Sequence, residues 1–214
     1  MYKLFEKIPE ASTEYVKSLI ISEKITIKLK KSRKTKHGDF SIKKNGLCMI
    51  TINDDLNQYR FLITLIHEIS HYIAYMNHGP YIKPHGVEWK NIFKNLLLPI
   101  INSEVFPNDI LRTLAIYAKN PKASSDTDLN LSLALNRYNI NQNNYVLSLS
   151  NGSVFKASND RVYVIIKKLR KRYECMDIIT KKLYLFSPNV KIKEIISELS
   201  LIHISEPTRP RLIS

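Results

Sequence analysis

Cysteine is scarce: Cys48 and Cys175 are the only two in 214 residues. They could make one bridge at most, which excludes a disulfide framework and favours reduced thiols. Long apolar runs are missing as well. The stretch LLLPII, Leu96 to Ile101, is far too short to cross a bilayer and is interrupted by Pro99. The opening MYKLFEKIPE has no apolar h-region and no small-residue cleavage site, so no secretion signal is read there. Together these features predict a cytoplasmic protein without a membrane partner. No internal repeat is present. Acidic residues are few, 19 against 33 basic ones, which leaves a net charge of +14. That excess raises affinity for polyanions through counterion release, so a nucleic acid is an expected partner. A hydrophobic fraction of 44% is enough for a real core and excludes a wholly disordered chain.

The last stretch, SLIHISEPTRPRLIS from Ser200 to Ser214, reads unlike the rest. It looks like a translated sequencing adaptor and is set aside from fold reasoning; on that reading the native C-terminus is missing. Removing its single net positive charge leaves the chain strongly basic.

Periodicity sets out the remaining elements. Pro9 to Ile20 is predicted as a helix, with Tyr15, Val16, Leu19 and Ile20 forming its apolar stripe. Lys24 to Lys30 alternates like a half-buried strand, and Leu47 to Asn53 reads as another. Asn57 suits the N-cap of a long helix ending near Asn77 to Pro80. Its buried stripe would be Leu62, Leu65, Ile66, Ile69, Ile73 and Met76. Further helices are expected from Gly86, carrying Trp89, Ile92, Phe93, Leu96 and Leu97, and over Asp109 to Lys119. Composition then shifts. Residues 121–144 read as a linker with a short helix at Leu129 to Leu135, and residues 145–199 read as a small β-rich module. There Asn151-Gly152 suggests a hairpin between YVLSL and SVFKA, with RVYVII, RYECMDII and KLYLF as later strands.

The chemistry concentrates at His67-Glu68-Ile69-Ser70-His71, an H-E-x-x-H pattern. On a helix, residues four apart share a face, so both imidazoles can reach one ion. Glu68 lies about 100° round the helix from His67, beside a metal-bound water rather than on the metal. That is the position a general base needs. Catalytic zinc takes three protein ligands and keeps one open position. His78 would stand about 10 Å further along a continuing helix, too far unless the helix breaks early. His85 follows Gly79, Pro80 and Pro84, where the chain can turn back, and is the expected third ligand. A second electrophile should stabilise the oxyanion. Tyr72, Tyr75 and Tyr81 are near in sequence, but packing is the stronger reading of each. The strand Leu47 to Asn53 could be the cleft edge that receives a peptide by strand addition; an ordinary buried strand is the alternative.

The segment HEISHYIAYMNHGPYIKPHGVEWK, His67 to Lys90, resembles the SprT-like, Spartan-related zinc metalloproteases. The likeness rests on H-E-x-x-H followed by Pro84-His85-Gly86-Val87-Glu88-Trp89. It extends over Leu47 to Phe93 and more weakly over Tyr15 to Lys36. SSDTDLN and the later RKRYEC and KLYLFSP also look like bacterial members. The resemblance implies an α+β, zincin-like core over residues 1–120, one zinc ion on His67, His71 and His85, and Glu68 as the catalytic glutamate. It implies protein substrates bound or crosslinked to DNA. Family members often carry a C-terminal zinc ribbon with paired cysteines. Cys175 alone cannot build one, so the β module is expected to be a degenerate ribbon that folds without metal.

Phosphate contact is assigned to two basic clusters: Lys28, Lys30, Lys31, Arg33, Lys34 and Lys36, then Lys167, Lys168, Arg170, Lys171 and Arg172. Two rival readings remain. One is a non-catalytic DNA-binding protein with structural zinc, against which Glu68 speaks. The other is a metal-dependent hydrolase of another bond, since the motif fixes water activation and not the substrate.

Overall fold

The computed structural model describes residues 2–21, 23–33, 35–139 and 145–196. Lys34, residues 140–144 and residues from 197 onward, including the Ser200 to Ser214 stretch, lie outside them. The chain forms two compact units, residues 1–140 and 141–214, each a mixture of the local patterns read above.

The first unit is α+β. A short helix α1 (Tyr2–Phe5) and a 3-10 turn (Glu10–Ser12) lead into α2 (Thr13–Ile20). Three strands follow, β1 (Ile25–Lys30), β2 (Gly38–Ile42) and β3 (Cys48–Asn53). Then come α3 (Gln58–His78), α4 (Val87–Leu97), α5 (Asn108–Lys119) and α6 (Leu129–Asn136). The sheet order is β1-β3-β2, with β3 parallel to β1 and antiparallel to β2. Of the two readings of Leu47 to Asn53, cleft edge or ordinary buried strand, the second holds: β3 is the central strand. Its residues Ile50 and Ile52 are fully buried in the core they share with α3. The outer strands are β1 and β2, and β2 was not read from the sequence.

Helix α3 is the centre of the unit. Asn57 caps it, its side-chain oxygen accepting the Arg60 backbone N–H at 3.0 Å. Gly79, with φ 77°, ends it in a left-handed conformation that glycine tolerates. Leu62, Leu65, Ile66 and Ile69 are buried as their spacing requires, and Ile73 is half-buried. Met76 departs from the expected stripe: it is 59% exposed, on the last turn of the helix. Phe61 and Ile63 are also buried, so α3 is covered on more sides than a surface helix.

Through residue 139 the segment read as linker belongs to this first unit. Leu131, Ala134 and Leu135 of α6 lie in the same core as α3. Asp128 caps α6 by accepting the Leu131 N–H, and Ser124 caps the 3-10 turn Ser125–Thr127. The polar residues of SSDTD are thus caps and turn formers rather than spacer.

The second unit is a five-stranded antiparallel sheet, β4 (Val154–Ala157), β5 (Val162–Lys168), β6 (Tyr173–Asp177), β7 (Leu183–Phe186) and β8 (Ile192–Ile196), in the order β7-β6-β5-β4-β8. Phe155, Tyr163, Ile165, Tyr173 and Cys175 fill its core. The hairpin expected around Asn151-Gly152 does not form. Val146–Ser148 is a 3-10 turn, and β4 pairs with β5 and β8. Buried Val146 and Leu149 stand three residues apart, a turn spacing rather than a strand spacing. Burial pushes the Cys175 thiol up to about 11, as befits a core thiol.

Candidate metal centre

His67 and His71 project from one face of α3, one turn apart. His85 reaches the same point from the turn before α4. There the backbone is left-handed, φ 59°, which is uncommon for a residue with a side chain and marks a position held by its surroundings. The three Nε2 atoms form a near-equilateral triangle: 3.2 Å from His67 to His71, 3.0 Å from His71 to His85 and 3.2 Å from His85 to His67. Zinc bonded to nitrogen at about 2.0–2.1 Å in a tetrahedron separates its ligands by about 3.3 Å. The triangle fits that ion closely. It is the one cluster of three potential ligands among the described residues. His78, exposed on the last turn of α3, is not part of it.

The electrostatics match ligand chemistry. Burial, with the neighbouring imidazoles adding to it, pushes His67 down to about 3 and His71 down to about 4. Burial also lowers His85. All three are held neutral, the state in which imidazole offers a lone pair. Trp89 of α4 forms the floor. Its ring stacks on His71 at 5.1 Å and on Phe93 at 5.0 Å, and lies 4.6 Å from His67 and 4.8 Å from His85. Such a wall excludes water from one side of the cluster and fixes the ring planes.

Glu68 is 6% exposed and faces β2. Burial, helped by the Asp39 carboxylate, pushes its carboxyl up to about 8. The Phe40 backbone N–H and the charges of Arg33 and Lys36 act in the opposite sense. A divalent cation on the three histidines would further favour the carboxylate. The approach of β2 is close: a Cβ on Gly38 would stand 2.6 Å from Glu68 Oε1 and 2.7 Å from Thr64 Cγ2. Glycine is required there by space rather than by backbone angle.

Glu68 and the three histidines line one cleft of about 450 Å³. Its other walls include residues 35–40 and the 123–125 segment leading into the 3-10 turn. On that far wall His37 Nε2 lies 2.6 Å from Asp126 Oδ2. Asp126 also pairs with Arg60, which is 3% exposed in the middle of the core. None of His37, Gly38 or Asp126 was singled out from the sequence as a site residue. Their only trace is the SSDTDLN stretch and a glycine opening a short strand. Tyr72 and Tyr75 follow their packing reading, and Tyr81 does not. Tyr72 donates to Glu23 Oε2 at 2.6 Å, Tyr75 leans on Phe40, and Tyr81 is 98% exposed.

The basic residues divide. Lys28, Lys30, Lys31 and Lys36 are exposed, as are Lys167, Lys168, Arg170, Lys171 and Arg172. Lys36 pairs with Asp39 at 2.8 Å, and Lys167 lies 3.5 Å from Glu174. Arg33 is differently engaged. Its guanidinium donates to Asn53 Oδ1 at 2.8 Å and to Thr51 Oγ1 at 3.0 Å, which fastens the loop between β1 and β2 onto β3.

A buried carboxylate beside three converging imidazoles, on an α+β scaffold with a small sheet, defines a candidate metal-dependent hydrolytic centre. Residues 4–105, which hold His67, Glu68, His71 and His85, match the model of the SprT-like family. No curated protein and no solved structure matches the chain. Among the described residues, no helix is long and apolar enough to cross a membrane.

Proposed function

We propose that the chain is a zinc-dependent metallopeptidase with a zincin-like core, acting on proteins bound or crosslinked to DNA. The observation that carries the reading is the triangle of three Nε2 atoms with the Glu68 carboxylate lining the same cleft. Zinc on that triangle supplies a Lewis acid for the scissile carbonyl and a water of lowered pKa. Glu68 takes a proton from the attacking water and returns it to the departing amine nitrogen as the C–N bond breaks. The free edge of β2 runs along the same cleft through Gly38, Asp39 and Phe40, which suits an extended peptide laid beside it by strand addition. Exposed lysines on β1 and at the β5–β6 turn support a polyanion partner, and they are the support for DNA.

The test is proteolysis of a DNA-bound basic protein by the zinc-loaded chain, with and without DNA, beside Glu68→Gln. Expected are equal zinc content in both forms and turnover lower by about 10²-fold or more in the variant, the scale of a lost general base. A Glu68→Gln chain that cleaves as fast as the unaltered one would sink the peptidase reading. Zinc retained with no turnover in either form would favour the alternative, a non-catalytic zinc-containing DNA-binding protein.

A further inference from the structure

We propose that His37 is a catalytic residue of this cleft: the donor that stabilises negative charge on the carbonyl oxygen when water adds to the scissile bond. The inference rests on the peptidase reading and names a group that reading lacks. As the water oxygen bonds to the carbonyl carbon, the C=O electron pair moves onto oxygen while Glu68 takes the water's proton. When the C–N bond breaks, that pair re-forms the carbonyl and Glu68 gives its proton to nitrogen. A fixed donor aimed at the oxygen lowers the barrier to the first step.

Several of the cleft's other polar side chains are committed elsewhere. Thr64 donates to the Arg60 carbonyl at 2.8 Å, Tyr117 to the Lys122 carbonyl at 2.9 Å, and Lys36 is paired with Asp39. Ser124 accepts the Asp126 N–H. Tyr72 is tied to Glu23 outside the cleft lining. His37 differs. Its backbone is pinned to β3, the Asn53 N–H donating to its carbonyl at 2.8 Å. Its ring is held through Nε2 by Asp126, and its Nδ1 has no hydrogen bond among the described residues. It directly precedes Gly38, whose Cβ position is 2.6 Å from the Glu68 carboxylate. It therefore stands one residue from a point where β2 closes on the general base, on the wall of the same cleft. With Nε2 on Asp126, Nδ1 is the ring nitrogen left to meet a substrate oxygen in the cleft.

The support behind His37 is built to hold it still. Asp126 is clamped by Arg60, whose guanidinium also donates to Asn136 Oδ1 at 2.9 Å and to the Ser132 carbonyl at 3.3 Å. The string Arg60, Asp126, His37 thus links the metal-bearing helix, the 3-10 turn and the loop before β2. Asp126 and Arg60 touch no substrate in this scheme and are positioning residues.

The test uses the zinc-loaded full chain, His37→Ala, His37→Lys and Asp126→Asn. It measures kcat and KM on a peptide, bound zinc, melting temperature, and the affinity of a phosphinic peptide, whose tetrahedral oxygens mimic the charged state. Removing one such donor should lower kcat by about 10²–10³-fold. For His37→Ala we expect that loss with KM and zinc content unchanged, and phosphinic-peptide affinity weakened by a similar factor. His37→Lys should recover part of kcat, and Asp126→Asn should lose less than His37→Ala. A His37→Ala chain that melts lower but keeps kcat and analogue affinity would show a strut only and overturn the proposal. A wild type without turnover in which His37→Ala still weakens the analogue alone defeats the peptidase reading and leaves His37 as the oxyanion donor. A wild type that neither cleaves nor prefers the analogue overturns both.

Discussion

Gly38 has no side chain, and Glu68 occupies the space one would need. An alanine Cβ there would stand 2.6 Å from Oε1 and 2.8 Å from Cγ of Glu68. The obstructing atoms belong largely to a flexible side chain, so the chain can fold around the change by swinging the carboxylate aside. Gly38→Ala should therefore keep zinc and melt within a few degrees of the parent while losing about 10–100-fold in kcat, since a misplaced base forfeits much of its effect. Parallel zinc, melting and kinetic measurements decide; unchanged kcat would mean Glu68 is not where the reaction needs it. Asp126 offers a second test at this scale. Burial alone would raise its carboxyl, but the hydrogen bond from His37 and the charge of Arg60 outweigh burial and hold it below the usual carboxylate range. A depressed carboxyl adds stability above its unfolded value, about 3.9, and that contribution is lost as pH falls through the folded value. Asp126→Asn should thus lower the melting temperature at pH 6, and the gap should narrow below about pH 4. A gap of equal size at pH 6 and pH 3 would mean that the charge of Asp126 does not stabilise the fold. The contrast with His67, Glu68 and His71 explains what could be read directly. That motif lies within one helical turn, so spacing alone aligns it. His37 and Asp126 are 89 residues apart, and no local pattern announces their contact.

Asn57 does two jobs for α3. Its oxygen caps the helix, and its amide nitrogen donates to the Leu135 carbonyl at 2.9 Å and to Asn139 Oδ1 at 2.7 Å. It therefore ties the start of the helix that carries His67 and His71 to the end of α6. Asn57→Asp keeps the cap acceptor and removes the donors, whereas Asn57→Ala removes both. Loss of a cap costs about 1 kcal/mol, and each neutral hydrogen bond about another 1 kcal/mol. Urea unfolding should rank the parent above Asn57→Asp and Asn57→Ala lowest; equal costs for the two variants would leave the α6 tie without a stabilising role. The cap, the length of α3 and the start of α4 were legible because capping and helical spacing are local signals. The sheet was less so. β2 is only five residues long and half-buried, and it gave no alternation to read. Whether β3 was an edge or a buried strand stayed open, because nothing in a single strand's sequence says which strands flank it. Its central position follows from β1 and β2 both pairing with it, which is a property of the chain's path rather than of Cys48–Asn53. At the other end, Asn-Gly supplied a turn without the hairpin, because Val146 and Leu149 bury as a turn does.

Across the molecule the charge of +14 is shared by two structural units, with Lys28, Lys30 and Lys31 in the first and a basic turn in the second. That turn, residues 169–172, is closed by the Leu169 N–H donating to the Arg172 carbonyl at 2.7 Å. It presents Arg170, Lys171 and Arg172 to solvent beside Lys168, which lies 5.8 Å over the Tyr173 ring. Composition alone assigned every basic residue of both clusters to phosphate, but structure separates cations with free heads from cations that hold the fold. Each phosphate contact on duplex DNA contributes about 0.9 to the slope of log affinity against log salt. Changing Lys168, Arg170, Lys171 and Arg172 to glutamine should flatten that slope by roughly 2–3 if most of them meet phosphate. Arg33→Gln should behave differently. Its guanidinium is bonded to Thr51 and Asn53, so the variant should melt lower while leaving the salt slope unchanged. Fluorescence anisotropy with a labelled duplex across a salt series, run beside thermal unfolding, separates the two effects. A slope that ignores the four-residue change would remove the β5–β6 turn from any DNA interface. A slope that drops with Arg33→Gln alone would return Arg33 to the phosphate-binding set and show that its bonds to β3 give way when DNA is present.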